Sequence, residues 1–252
     1  MTSDIEPRRH VALEGTYNTR DIGGYPTEHG RLTRWNTFFR SDNMHRLTPQ
    51  DRDAIVGYGV RTVIDLRTTS ETEMYPNVFA ASAEVSYVHT NLIGDDYLSE
   101  IGIVEAGLAR DRISRSYISW LDDRQPQIRE ILATLAEASG RPAIYHCAGG
   151  KDRTGLITAL LLENAGVPRT TVVEDYALTA RFLIRRIMDG QGPEEQERIT
   201  TWQQFEAKFC PPEGMMQVLE HMDARYGGVK AYARAIGLSD EQVESLYEAL
   251  VE

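Results

Sequence analysis

The sequence predicts an α/β fold: a central, mostly parallel sheet flanked by helices and followed by a helical C-terminal region. Three observations carry this. Short apolar runs at Val60 to Leu66, Val85 to Thr90 and Ala143 to Tyr145 read as strands, and stretches with apolar residues at helical spacing lie around them. The run at Ala143 passes through a glycine-rich turn straight into a helical pattern carrying Leu156, Ile157, Leu160 and Leu161. With 252 residues, 41% of them hydrophobic, the chain can bury one sizeable core, and no composition break divides it, so residues 1–252 form a single domain.

Residues 8 to 42 are rich in glycine, aromatic and β-branched residues, with turn signals at Gly23-Gly24 and His29-Gly30, and predict short strands and hairpin turns ending in a strand at Phe38 to Arg40. Thr48, Pro49 and Asp51 are a helix start, with Thr48 as N-cap, proline at the first position and an acid where a capping box needs it. That helix stops at Gly57 and Gly59. Val60 to Leu66 is then a buried strand with Asp65 at its C-terminal end. If it runs parallel to Ile144 to His146, the two strand ends share the sheet edge where open α/β folds bind ligands, and Asp65 and Cys147 face one pocket.

Residues 98 to 120 are helical by composition, with interruptions at Gly102 and Gly107. Gln125 to Ser139 is a clearer helix, opened by Pro126, striped by Ile128, Ile131, Leu132 and Leu135, and ended by Gly140. The helix beginning after the glycine-rich turn is apolar on nearly all sides from Leu156 to Leu162 and is expected at the centre of the molecule. Residues 169 to 188 repeat Val173, Tyr176, Ala177, Ala180, Leu183, Ile184 and Ile187 at helical spacing, with Arg181, Arg185 and Arg186 off that stripe. From 191 to 252 the pattern is helical, broken at Pro211-Pro212 and Gly227-Gly228.

The chemistry concentrates in the turn. Cys147 is followed six residues later by Arg153, with Gly149 and Gly150 between them and a helix starting beside the arginine. A turn of that size points successive N–H groups inward, and the helix N-terminus adds partial positive charge. Ala148, Gly149, Gly150, Lys151, Asp152, Arg153 and Thr154 thus form a cradle for a tetrahedral oxyanion. Cys147 lies at its floor, where the N–H groups, Lys151 and Arg153 favour the nucleophilic thiolate. Arg153 offers a planar fork to two oxygens, which a lysine cannot. The implied reaction is attack of sulfur on phosphorus, giving a phosphocysteine that water later clears. His146 supports the loop from the strand end, and the Thr154 hydroxyl serves either the thiolate or the helix cap.

This stretch, His146 to Gly155, resembles the cysteine-dependent phosphatases with a His-Cys-x5-Arg-Thr/Ser loop, and more narrowly their bacterial protein-tyrosine phosphatase branch with His-Cys-x-x-Gly-Lys-Asp-Arg-Thr-Gly. The likeness extends to Asn18 to Tyr25, Phe39 to Ser41, and Val63 to Arg67 with Glu71 downstream, and thins after about Ala180. It implies a phosphomonoester hydrolase acting on phosphotyrosine, with dual-specificity or phosphoinositide activity as extensions. It places Arg40 and Ser41 near the loop, where the residues alone read Arg40 as a buried partner of Asp42 or Asp21. Helices in this part of relatives form a lid, so residues 169–210 are either a lid carrying Arg181 and Arg185 over the site or a solvated face.

Many tyrosine phosphatases carry their general acid in a Trp-Pro-Asp loop, and that tripeptide is absent here. Asp152 and Asp65 are the candidates. The resemblance favours Asp152, which leaves Asp65 to orient Arg153 or water. Two alternatives stand beside hydrolysis: a noncatalytic phosphate-binding module, and an arsenate reductase-like thiol enzyme using Cys210 as a relay.

A net charge of −11 disfavours nucleic acid and anionic membranes as partners, though it leaves room for a local basic pocket. The expected partners are phosphorylated proteins or phosphoinositides. Two cysteines are too few for a disulfide framework, and the six histidines are scattered, so neither a metal nor another cofactor is expected. No stretch is long enough to span a membrane and the first residues do not read as a secretory leader. The expected location is cytoplasmic, with export by a signal-less route left open.

Overall fold

The computed structural model describes residues 6–95, 109–138, 140–190 and 199–252. Five strands form one sheet: β1 (Arg20–Asp21), β2 (Phe38–Ser41), β3 (Thr62–Asp65), β4 (Ser86–His89) and β5 (Ala143–His146), in the order β1-β2-β5-β3-β4. Only the β1–β2 pair is antiparallel, and the other three pairs are parallel. Ser41 and Asp65 both register with His146, and His89 registers with Asp65. The parallel strands therefore end along one edge, with Cys147 the first residue beyond it.

Alternation along the strands divides the core in two. Phe38, Ile64 and Tyr145 face a large core built with the helices α3 (Ala109–Asp123), α4 (Gln125–Glu137), α5 (Asp152–Asn164) and α6 (Arg169–Met188). Their neighbours Phe39, Val63 and Ile144 face a smaller core with Met44, Leu47 and Ile55 of α1 (Pro49–Gly57). A fully buried side chain of these types contributes about 1.5–3 kcal/mol, so both faces of the sheet are committed. The large core continues into α7 (Trp202–Phe209), α8 (Pro212–Tyr226), α9 (Val229–Ala235) and α10 (Asp240–Leu250). Helix α2 (Thr69–Met74) buries none of its own residues and follows β3 directly.

The capping box at Thr48 and Asp51 is present, and Asp51 also accepts from the N–H groups of Glu14 and Gly15, tying the N-terminal segment to α1. Residues 8 to 42 hold less strand than expected. Apart from β2, β1 is two residues long and the remaining pairings are isolated bridges. Carboxylates do the work that a ladder would have done: Asp42 accepts from the N–H groups of Tyr17 and Asn18, and Asp21 from those of Gly23 and Asn36. The interruptions expected at Gly102 and Gly107 lie outside the described residues. A further break at Ile236 to Ser239, which separates α9 from α10, was not anticipated. The last residues pair with the segment that leads into β2: Arg34 N–H donates to the Leu250 carbonyl, and Glu252 N–H to that of Leu32.

Candidate active site

The turn between β5 and α5 is braced from outside. Asn18 donates its amide to the carbonyls of Gly149 and Gly150 at 3.1 and 3.0 Å, Arg40 donates to the Gly150 carbonyl at 2.8 Å, and the N–H of Asn43 donates to Ala148 at 3.1 Å. With its carbonyls held outward, the turn directs its N–H groups to the inside. Among the described residues no backbone carbonyl accepts from the N–H groups of Ala148 to Thr154. Such open donors at a helix N-terminus are an anion site. The brace needs glycine at 150, whose φ is +61° and whose added Cβ would lie 2.6 Å from the Ser41 carbonyl oxygen.

Cys147 is buried at the floor and forms no disulfide. Arg153 is held by Glu71 of α2, whose Oε2 and Oε1 accept from its two terminal nitrogens at 2.6 and 2.9 Å. Glu71 Oε2 also accepts from the Thr68 N–H at 2.8 Å, so one carboxylate caps α2 and aims the arginine. Burial opposes both charges, but the pairing prevails. The Glu71 carboxyl is lowered to about 2, and the Arg153 guanidinium is raised by Glu71, Cys147 and Asp152 together.

Asp152 accepts from the Tyr117 hydroxyl at 2.5 Å and has Lys151 Nζ 3.3 Å away on the same oxygen, while its side chain stays 37% exposed. Tyr117 and Tyr176 share a 2.9 Å hydrogen bond beneath it. Burial, and then the Asp152 charge, push both phenols well above their ordinary value, so they remain hydroxyl donors. Lys151 also lies over the Phe209 ring at 5.6 Å, which brings the end of α7 against the turn. The Thr154 hydroxyl is buried with no hydrogen-bond partner among the described residues and does not cap α5.

A second layer is ionic. Asp175, buried in α6, pairs with Arg20 at 3.2 Å and with Arg40 at 2.5 Å, and accepts from the Tyr25 hydroxyl at 2.8 Å. Burial raises its pKa, but the two arginines outweigh this and hold the carboxyl below the ordinary range. Arg40 thus links α6 to the Gly150 carbonyl. Its acidic partner is Asp175, and the expected pairing with Asp42 or Asp21 gives way because both of those carboxylates are occupied by backbone N–H groups.

The model of the tyrosine phosphatase family matches residues 11–252. The chain belongs to the tyrosine phosphatase family. A tyrosine-protein phosphatase of Nostoc commune is 31% identical to it, over 84% of this chain and 73% of that protein. The triple specificity protein phosphatase PtpB of Mycobacterium tuberculosis is 24% identical, over 95% of this chain and 98% of its own length. Among solved structures, P. aeruginosa TpbA in complex with pTyr covers 94% of this chain and matches all of that chain, at 15% identity and a TM-score of 0.38.

The phosphatase brings together Cys147, Lys151, Asp152, Arg153 and Thr154 on one turn, with His146 behind them. The His146 ring is fixed on both sides, Nε2 lying 2.7 Å from the Asn77 amide nitrogen and Nδ1 3.2 Å from the Cys147 carbonyl. Asp65 is displaced from the role expected of it. Its carboxylate accepts from Arg67 at 2.8 and 2.6 Å and from Tyr87 at 2.9 Å, with His146 at 3.3 Å. Burial opposes that charge, but His146 and Arg67 hold the carboxyl well below the ordinary range. Glu71, and not Asp65, orients Arg153. Arg181 covers the Trp202 ring at 4.6 Å, and Arg185 lines a hollow with His10 and Asp189. Much of α6 is buried core, from Val172 to Ile184.

Among the described residues no group of three potential ligands is placed to hold a metal ion, and no helix is long and apolar enough to cross a membrane.

Proposed function

We propose that the phosphatase works through a phosphocysteine on Cys147 with Asp152 as its acid and base. The phosphate of a phosphotyrosine enters the cradle, its oxygens taken by the N–H groups of Ala148 to Thr154 and by the Arg153 fork. The Cys147 sulfur bonds to phosphorus as the bond to the tyrosine oxygen breaks, and the Asp152 carboxyl gives that oxygen its proton. Water then attacks phosphorus, Asp152 takes its proton, and the sulfur–phosphorus bond breaks to leave inorganic phosphate and the Cys147 thiolate. The observation that carries this reading is the two-point grip of Glu71 on Arg153 beside a ring of unspent N–H groups, a cradle set before any substrate arrives. Asp152 is the better acid on position. It stands on the turn itself with a partly exposed side chain, whereas Asp65 is buried and locked to Arg67.

The triple specificity in the name of PtpB supports a substrate range wider than phosphotyrosine, and the resemblance adds phosphoserine, phosphothreonine and phosphoinositides as extensions. Lys151 is the residue of the turn whose charge could meet a second phosphate on an inositol ring, but it turns toward Asp152 and Phe209, which favours phosphotyrosine as the first substrate. Arsenate reduction needs a second reactive thiol. Cys210 is a poor relay, because burial pushes its thiol up to about 12.

Release of phosphate from p-nitrophenyl phosphate in EDTA tests the proposal. Wild type should turn over with full rate, vanadate should inhibit it, and Cys147→Ser should bind phosphoester without releasing phosphate. Substantial turnover by Cys147→Ser would end the covalent mechanism, and binding without turnover by wild type would leave a phosphate-binding module.

A further inference from the structure

One carbonyl of the turn lies outside the brace made by Asn18, Arg40 and Asn43. Those residues hold the carbonyls of Ala148, Gly149 and Gly150, whereas the Cys147 carbonyl faces His146 Nδ1 at 3.2 Å. That contact is a hydrogen bond only if Nδ1 carries a hydrogen. An imidazole with a single hydrogen places it on one nitrogen, and the partner of the other nitrogen decides which.

His146 Nε2 has two neighbours with opposite demands. The Asn77 amide nitrogen, 2.7 Å away, donates to a bare Nε2, while the Asp65 carboxylate, 3.3 Å away, would accept from a protonated one. All three side chains are buried. The direction of the asparagine is fixed from its other end. Its Oδ1 accepts from the Phe79 N–H at 2.9 Å, an Asx-turn that the Ala80 N–H closes on the Asn77 carbonyl at 3.1 Å, and Phe79 anchors this turn in the smaller core. Turning the amide over would set its NH2 against the Phe79 N–H. Asp65 already accepts from the N–H, Nε and Nη2 of Arg67 and from the Tyr87 hydroxyl, at 3.1, 2.8, 2.6 and 2.9 Å, and needs nothing from the ring. The charge attraction between Asp65 and His146 belongs to acid, where the ring takes a second proton.

We propose that Asn77 is a positioning residue of the phosphatase: its amide keeps His146 Nε2 bare, so the ring's hydrogen sits on Nδ1 and holds the Cys147 carbonyl outward. The Cys147 carbonyl and the Ala148 N–H belong to one trans peptide and point in opposite directions. Holding the first outward therefore aims the second into the cradle. Asn77 acts on the phosphate site in this way without touching it, from the link between α2 and β4. The role in catalysis rests on the phosphatase reading above.

Proton–nitrogen NMR of the histidine rings tests this on the full chain without substrate, with His146→Gln used only to assign the signals. At about pH 8 wild type should show the hydrogen of His146 on Nδ1 and none on Nε2, and the reverse would overturn the proposal. Asn77→Asp keeps the bond to Phe79 through one oxygen and replaces the donor by an acceptor. The hydrogen should then move to Nε2, leaving Nδ1 and the Cys147 carbonyl lone pair to lone pair. Its kcat/KM on p-nitrophenyl phosphate at about pH 8 should fall by about tenfold, less than the roughly 10²–10³-fold for outright loss of an oxyanion donor. Lowering the pH puts a second proton on the ring and restores the donor, so the ratio of variant to wild type should recover toward acid. The titratable and charged groups about the ring are Asp65, with Arg67 and Tyr87 bound to it, and Cys147, and both proteins carry them all. A loss equal at every pH would make Asn77 structural only and overturn the proposal, as would an unchanged His146 signal in Asn77→Asp. Should that variant fold poorly, the wild-type signal still decides. Because the ring is read without turnover, a wild type that hydrolysed nothing would defeat the phosphatase reading while the His146 signal still supported the link to Asn77.

Discussion

Glu71 holds Arg153 with both carboxylate oxygens, at 2.6 and 2.9 Å, across 82 residues of sequence. The same carboxylate closes the capping box of α2, so one side chain serves both the helix start and the aim of the arginine. Glu71→Gln should keep the cap and lose the charge pairing, lowering kcat/KM on p-nitrophenyl phosphate by about tenfold or more, since charged hydrogen bonds are worth about 1.5–3 kcal/mol. An unchanged kcat/KM would show that Arg153 is aimed by other means.

That pairing also sets an acid limit. The folded carboxyl titrates at about 2 against an ordinary value of 4.5, so its stabilising contribution is complete above about pH 4.5 and is lost as the pH falls through 2. The shift corresponds to about 3 kcal/mol, and its partly exposed position reduces this to about 1–2 kcal/mol. The stability gap between wild type and Glu71→Gln, read from urea midpoints, should be constant from pH 7 to 5 and narrow below. A gap that does not change with pH would remove the charge from the account.

The turn from Cys147 to Thr154 and the helix after it were legible as structure because they occupy contiguous residues, and α1 because its cap is local. The brace was not, because Asn18, Arg40, Glu71, Tyr117 and Asp175 reach the site from distant parts of the chain. Local signals for some of them exist. Thr68 and Glu71 are a capping-box pair in sequence, which places α2 but says nothing of the second duty of the carboxylate. Asp175 falls on the buried stripe of α6, between Val172 and Tyr176 and in line with Thr179, and an acid in such a stripe calls for a buried cation. Tyr117 reads as one more core aromatic, and only its hydroxyl, 2.5 Å from Asp152, distinguishes it.

Asp175→Asn tests the ionic layer. It leaves Arg20 and Arg40 buried without their counter-charge, a change that costs about 3–5 kcal/mol. For a chain of this size that is a fall of about 10 °C in Tm. The brace on Gly150 passes through Arg40, so kcat should fall as well, measured well below the new melting point. A Tm within a degree or two of wild type would mean that the arginines find other partners.

The acid is tested by its leaving groups. Asp152→Asn should lose about 10²–10⁴ on phenyl phosphate and far less on an ester of a strongly acidic phenol. Tyr117→Phe should repeat this dependence at about tenfold, as expected of a hydroxyl that positions Asp152 without touching substrate. Asp65→Asn should lower stability through Arg67 and leave the leaving-group dependence as it is in wild type. If Asp65→Asn gave the steeper dependence, the acid would be Asp65.

The two glycines of the turn look equivalent in sequence and differ in the fold. Gly149 has no positive φ, and an added Cβ would meet nothing closer than Lys151 at 3.9 Å and Leu183 at 4.0 Å. Gly150 has φ +61°, and its Cβ would press on the backbone of Ser41 and Asp42 at 2.6 and 2.7 Å. Backbone at the end of β2 cannot yield as a flexible side chain does, so the turn itself must move, at the point where Arg40 and Asn18 hold its carbonyl. A residue forced into that region costs about 1–3 kcal/mol before the clash is counted. Gly149→Ala should therefore keep kcat/KM within about tenfold of wild type, because its N–H still faces the phosphate. Gly150→Ala should lose about a hundredfold or more, since a displacement of about 1 Å at reacting atoms has that effect, and vanadate should bind it correspondingly worse. Equal losses in the two variants would mean that the inward N–H groups do not depend on the brace, and the cradle would then owe its shape to the turn alone.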